Sequence, residues 1–182
     1  MRKNALQLAA ALCAMLLTLA ACTDDALPAP SAPPDNDIDW IDILPEPEGA
    51  FELTEVEFAY YEKFIRTGDI SVLYGVDPFS VIRISLQAAV DGNIEHEFSL
   101  FHPDTLDGLT LESYLAANNP ETAGGPEFLQ RMADLFFSQM DQGEFTRDGD
   151  RAWVSFYTEL GEPLTLSARQ NDDGIWLVEF SW

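Results

Sequence analysis

Basic residues, cysteines and histidines are scarce in this sequence, and each scarcity excludes a class of function. Nine Lys or Arg stand against 32 Asp or Glu in 182 residues, which gives a formal charge of −23. A field of this sign repels nucleic acid phosphates, and no basic patch with interleaved aromatic residues overcomes it. Side-chain docking on anionic lipid is also disfavoured, because it depends on clustered Lys or Arg. We therefore expect no nucleic acid partner, and we expect membrane contact only through covalent lipid.

Both cysteines lie among the first 22 residues. Arg2 and Lys3 precede an apolar run over residues 5–21, a pattern typical of a secretion signal. The run is short for a membrane-spanning helix, which needs about 20 apolar residues. Removal of the signal takes Cys13 with it, so Cys22 is the only cysteine of the mature chain. An intramolecular disulfide is then excluded.

Leu19, Ala20, Ala21 and Cys22 follow one another in an order that resembles the lipobox of bacterial lipoproteins. In that family the chain is cut before the cysteine, whose thiol carries the lipid. The resemblance therefore implies a signal peptide over residues 1–21 and a lipid such as palmitate on Cys22. Two or more acyl chains give stable anchoring where one does not. The implied location is the cell membrane or the outer membrane, with the folded part facing the exterior or the periplasm.

Residues 22–50 read as an acidic, proline-rich tether. Over residues 23–50 the chain holds six prolines and no Lys or Arg, a composition typical of an extended, self-repelling linker. One apolar patch interrupts it, made of Ile38, Trp40, Ile41, Ile43 and Leu44. This patch either docks on a partner or packs back on its own domain.

Residues 51–182 are predicted to form a single α+β domain. Apolar residues at helical spacing predict helices over 55–66, 78–91, 94–102, a short piece from 111, and 126–142. The period then changes to two, which predicts strands near 144–147, 152–157, 164–169 and 176–182. We expect the helices to pack on one face of a curved antiparallel sheet of about three to four C-terminal strands.

Three short stretches carry a second resemblance, which spans residues 55–182. A "TGD" turn at 67–69, a "GVDP" helix start at 75–78 and a closing "DGIWLV" strand at 173–178 look like those of small bacterial lipoproteins with domains of the nuclear-transport-factor-2-like superfamily. This resemblance implies a cone of helices wrapped by a bent sheet, often around a pocket. The superfamily includes isomerase-like and polyketide-cyclase-like enzymes as well as non-catalytic domains. Unlike its pattern, this chain places up to five helical segments before the first strand.

The two histidines, His96 and His102, have Glu95, Glu97 and Asp104 nearby, which suggests a metal site. Six helical residues correspond to a rotation of about 600°, which places the two rings about 240° apart on different helix faces. We therefore expect solvated histidines and no metal.

Two acidic turns suggest calcium loops. Asp148, Gly149 and Asp150 lack the further oxygen ligands and the final Glu of an EF-hand loop, and the run Asp172, Asp173, Gly174 is interpreted in the same way. Both are predicted to be turns between strands.

Acid–base chemistry of the isomerase type needs a carboxylate and a phenol facing an apolar pocket. Many acids are present, and the candidate phenols are Tyr60, Tyr61, Tyr114 and Tyr157, among which the sequence does not select. No phosphate-binding glycine loop, serine nucleophile motif or free thiol nucleophile accompanies them. The aromatic stripe from Trp176 to Trp182 either lines a pocket or packs in the core.

The sequence therefore predicts a cell-envelope lipoprotein with a non-catalytic domain that binds a small ligand or an envelope protein. No metal or cofactor is expected. The alternative is a pocket enzyme of the isomerase or polyketide-cyclase type, which rests on the superfamily resemblance.

Overall fold

The computed structural model describes residues 45–118 and 125–180. Cys22, the signal peptide, the apolar patch of the tether and Trp182 lie outside these described residues. The helices are α1 (Glu55–Thr67), α2 (Pro78–Val90), α3 (Ile94–Ser99), α4 (Leu111–Ala117) and α5 (Gly125–Phe137), with 3₁₀ turns at Ile70–Leu73, Pro103–Thr105 and Met140–Gln142. The strands are β1 (Glu144–Asp148), β2 (Arg151–Tyr157), β3 (Pro163–Gln170) and β4 (Trp176–Val178). This order confirms the predicted α+β class.

The first two long helices begin and end where local chemistry satisfies their free backbone groups. Thr54 and Glu57 form a capping box at the start of α1, and Gly68 ends that helix at a φ of 65°, a conformation that suits glycine. Asp77 caps α2, with Pro78 in its first turn, as predicted. None of the helices within the described ranges combines the length and apolar character needed to cross a bilayer.

The four strands form one antiparallel sheet in the order β1-β2-β3-β4. Alternate residues of β2 and β3 are buried, so the sheet has an inner and an outer face. Helix α2 packs against β2, β3 and β4, and also contacts α1, α3 and α5. Its central position explains why most of its residues are buried and most are apolar, with Arg83 as its one charged residue.

The edge of the sheet at β4 is covered by residues 100–102. The Val178 N–H donates to the carbonyl of Leu100 at 2.8 Å, and the His102 N–H donates to the carbonyl of Val178 at 2.8 Å. This pairing ends α3 at Ser99, so the prediction of a helix through residue 102 is wrong. Strand β4 itself stops at Val178, which is shorter than the predicted run to residue 182.

Two groups of buried apolar side chains fill the domain. The larger lies between α2, α1, α5 and the inner face of the sheet. The smaller is built from α3, α4 and the end of the last strand, around Ile94, Phe101, Tyr114 and Phe180. The α+β class and the open antiparallel sheet are thus observed, while a nuclear-transport-factor-2-like cone remains a prediction.

Residues 45–50, which the composition assigns to the tether, contact the folded domain. Arg131 in α5 holds the Glu46 carboxylate through both of its terminal nitrogens. The Glu159 carboxylate accepts hydrogen bonds from the backbone N–H groups of Glu48 (2.6 Å) and Gly49 (2.7 Å). Burial raises the pKa of Glu159, but these bonds outweigh it and lower the pKa below its usual value. The end of the tether is therefore fastened to α5 and to the β2–β3 turn.

Candidate functional site

A buried carboxyl lies beside a phenol in the smaller core. Glu97 on α3 is only 9% exposed, and the Tyr114 hydroxyl on α4 hydrogen-bonds to it. Aromatic rings surround Tyr114. Its ring centroid lies 5.4 Å from those of both Phe98 and Phe101, and the Phe101 centroid lies 4.8 Å from that of Phe180. Of the four candidate tyrosines, the structure therefore pairs Tyr114 with a buried acid.

The surroundings of Glu97 change its protonation. Burial raises its pKa from the ordinary 4.5 to about 8, and the hydrogen bond from Tyr114 only partly opposes this rise. The carboxyl is therefore mostly protonated at neutral pH, since loss of the proton leaves a charge among aromatic rings. A buried acid with this pKa is able to donate a proton at neutral pH, as a general acid does.

The histidines are placed differently from the sequence prediction. His102 is buried, and its Nδ1 accepts a hydrogen bond from the Asp104 N–H at 3.3 Å. His96 is half-buried and packs edge-on against the Phe64 ring at 5.5 Å. For His102 the prediction of a solvated ring is therefore wrong, because tertiary packing buries it, whereas His96 keeps part of its surface exposed. Across residues 45–118 and 125–180, no three His, Cys, Asp or Glu side chains are grouped to hold a metal ion.

Tyr61 and Tyr157 lie elsewhere in the domain. The Tyr61 hydroxyl donates to the Asp91 carboxylate and accepts from Asn93 at 2.8 Å, which fastens α1 to the turn between α2 and α3. Burial and the Asp91 hydrogen bond raise the pKa of Tyr61, with the Asn93 bond opposing. Tyr157 is 68% exposed on the outer face of the sheet.

Gly149 and Asp150 of the first acidic run, and the whole of the second run, lie in turns between strands, as predicted, while Asp148 ends β1. Asp150 belongs to the two-residue turn between β1 and β2 and pairs with Arg169 at 3.2 Å. Asn171 holds the turn before β4 by accepting from the N–H groups of Asp173 and Ile175, each at 3.0 Å.

The aromatic stripe of the last strand divides between the two cores. Trp176 is buried in the larger core, and the Arg147 guanidinium lies 4.9 Å from its ring centroid. Phe180 belongs to the smaller aromatic core. For these two residues the core interpretation is confirmed.

A buried ion pair was not predicted from the sequence. Arg83 in α2 bonds to Glu57 at 3.1 Å, and both side chains are almost fully buried. The available signal was a single charged residue within the mostly apolar residues 81–90, because a charge on the buried side of a helix requires a partner.

An apolar depression lies on the outward side of α1. Its lining residues are Glu55, Val56, Ala59, Tyr60 and Lys63, and its volume is about 450 Å³. All five of these described lining residues lie on one helix. Val56 at its edge is 67% exposed, and Phe58 on the same helix is 49% exposed.

Comparison of the chain with models of protein families, with curated proteins and with solved structures found no match.

Proposed function

We propose that the chain is a lipid-anchored protein of the cell envelope whose folded domain binds a partner protein, without catalysis, through the outward side of α1. The lipobox-like residues ending at Cys22 supply the anchor, and the acidic tether lets the folded domain extend away from the membrane. The domain itself supplies the surface that carries the proposal.

The observation that carries this function is a second apolar stripe on α1. The inward stripe of Tyr61 and Phe64 already packs in the core. Val56, Ala59 and Tyr60 lie at helical spacing on another side of the helix, with Val56 largely exposed. Tyr60 is partly buried and also contacts the larger core, whereas Val56 and Ala59 are exposed. A surface helix needs one apolar stripe to pack on its domain, so the exposed part of this second stripe is not required for that packing. Exposed apolar surface bordered by charged residues is typical of a protein interface.

A protein fits this surface better than a small molecule does. Pockets for small ligands enclose most of the ligand surface. Among the described residues, the lining of the depression on α1 comes from one helix, so these residues contact a small molecule from one side. From residue 51 onward the chain has 7 basic and 24 acidic residues, a formal charge of −17. This field attracts a partner with a basic contact surface.

Site-specific photocrosslinking in bacterial cells tests the α1 surface. With a photoreactive phenylalanine analogue in place of Val56, we expect one discrete adduct of higher mass. The matched control replaces Leu160, which is 49% exposed in the β2–β3 turn, and is expected to give no such adduct. Absence of an adduct at position 56, or the same adducts at both positions, contradicts the proposed interface.

The alternative, a pocket enzyme of the isomerase or cyclase type, is favoured by a different observation. Glu97 and Tyr114 provide the buried acid and phenol that such chemistry needs. A thermal-shift screen of the full chain with apolar small molecules separates the two functions. A ligand at a hundredfold excess over its Kd adds about 2.7 kcal/mol to the unfolding free energy. A shift abolished by Glu97→Gln supports the enzyme, and no shift from any compound counts against it.

A further inference from the structure

The two edges of the sheet differ. The edge at β4 is covered by the backbone of residues 100–102, as described above. At the other edge, all five residues of β1 are exposed to solvent. β1 pairs with β2 on one side only among the described residues. An exposed edge strand presents backbone donors and acceptors to another chain.

Two hydrogen bonds fix which backbone groups of β1 are free. At one end of the β2–β3 ladder, the Thr158 N–H donates to the Glu162 carbonyl at 2.9 Å. At the other end, the Gln170 N–H donates to the Asp150 carbonyl at 2.8 Å. Because bonded positions alternate along an antiparallel ladder, even-numbered residues of β2 bond to β3 and odd-numbered ones bond to β1. The β1–β2 register then directs the N–H and C=O groups of Phe145 and Arg147 away from β2. These two residues form a hydrogen-bonding edge.

The side chains of β1 define what an added strand meets. On the inner face, the Phe145 ring packs against Phe79 at 6.2 Å, and Arg147 lies over Trp176. On the outer face, Glu144 and Asp148 flank Thr146. An added strand therefore contacts aromatic side chains on the inner face of the sheet and two carboxylates on the outer face.

These charges disfavour a second copy of the chain as the added strand. Antiparallel pairing of β1 with itself about Thr146 places Glu144 opposite Asp148 at two positions. Like charges directly opposite each other destabilise a strand pair. Two domains that each carry a formal charge of −17 also repel. The same carboxylates attract a strand with basic side chains at alternate positions. They therefore disfavour a second copy of this chain and favour a basic partner strand.

We propose that β1 is a docking edge for an extended, cationic peptide segment of another protein, which adds antiparallel to Phe145 and Arg147 as a fifth strand. In this binding mode the main-chain hydrogen bonds give affinity and the alternating side chains give specificity. On the outer face, the peptide places Lys or Arg beside Glu144 and Asp148. On the inner face, it places apolar side chains beside the Phe145 ring. This inference is independent of the α1 surface, and failure of either one leaves the other standing.

Two capped peptides that differ only in charge test the edge. One has the central sequence Lys-Val-Thr-Val-Lys and the other Glu-Val-Thr-Val-Glu, and each is titrated against the full-length chain in detergent at low salt. We expect the lysine peptide to bind at least about tenfold more tightly, with a preference that shrinks as salt is added. We also expect hydrogen exchange at the Phe145 and Arg147 amides to slow on binding. Equal binding of the two peptides, no binding, or unchanged exchange at these amides overturns the proposal.

Backbone methylation locates the contact. In the antiparallel arrangement the two valine N–H groups of the peptide point to β1 and the central threonine N–H points away. N-methylation of both valines is expected to weaken binding by about tenfold or more, whereas N-methylation of the threonine has little effect. Glu144→Lys in the protein is expected to weaken binding of the lysine peptide. Loss of affinity from threonine methylation alone, or no loss from valine methylation, overturns the proposal.

Discussion

Replacing Glu97 with Gln is expected to stabilise the domain by about 5 kcal/mol at pH 9 and to change its stability little at pH 4. The pKa of Glu97 is about 8 in the folded protein and 4.5 ordinarily. Below pH 4.5 the carboxyl is neutral in both the folded and the unfolded state. Between pH 4.5 and 8 the unfolded state releases the proton and the folded state retains it, so stability falls by about 1.4 kcal/mol per pH unit. Gln removes this loss, and its amide oxygen still accepts from Tyr114.

Urea denaturation of both proteins between pH 4 and pH 9 measures this effect. The difference in unfolding free energy should grow through the window from pH 4.5 to 8 and then level off. Glu95→Gln on the same helix is the matched control, because Glu95 is exposed, and it should show no such growth. A difference between wild type and Glu97→Gln that is constant with pH contradicts the placement of Glu97 among the aromatic rings.

Replacing Arg83 with Met is expected to destabilise the domain by about 3–5 kcal/mol. The substitution leaves the Glu57 carboxylate buried without its cation, 3.1 Å from where the guanidinium lay. It also removes the bonds from Arg83 to Asp141 (2.7 Å) and to the Glu52 carbonyl. Arg83 joins α1, α2 and the 3₁₀ turn before β1, so its loss affects several elements at once.

Chemical denaturation at pH 7 with two further variants checks this result. Arg151→Met removes an exposed arginine that pairs with Glu179 and should cost less than about 1 kcal/mol. In the double variant Arg83→Met with Glu57→Gln, no buried charge remains, and part of the lost stability should return. A loss for Arg83→Met as small as that for Arg151→Met shows that the pair is not buried.

Elements with local signals were predicted from the sequence. Asp77 and Pro78 mark the start of α2, and the turn before β4 follows from a run of turn residues between alternating strands. The end of α3 was not predictable in this way. Residues 100–102 have a helical pattern of apolar residues, but their backbone pairs with Val178, which lies far along the chain. The long-range hydrogen bonds determine the backbone conformation of residues 100–102, and the apolar pattern of the neighbouring residues does not indicate them.

The site was predicted only in its parts. The sequence suggests Glu97 only as a metal ligand beside the histidines, and it offers Tyr114 as one of four candidate phenols. Their pairing depends on how the chain reverses between α3 and α4, which the residue pattern does not specify. One signal was present, since Glu97 follows Ile94 by three residues and therefore lies beside the apolar stripe of α3. An acid at such a position is a candidate for burial.

Intact mass spectrometry of the protein, expressed in bacteria and purified from the membrane fraction, tests the proposed lipid anchor at Cys22. With the proposed anchor, we expect a chain that starts at Cys22 and exceeds its polypeptide mass by the acyl groups of a lipid-modified N-terminus. Cys22→Ser should abolish this added mass and release the protein from the membrane fraction. A mature chain with an unmodified Cys22, or one that starts at another residue, contradicts the proposed lipid anchor.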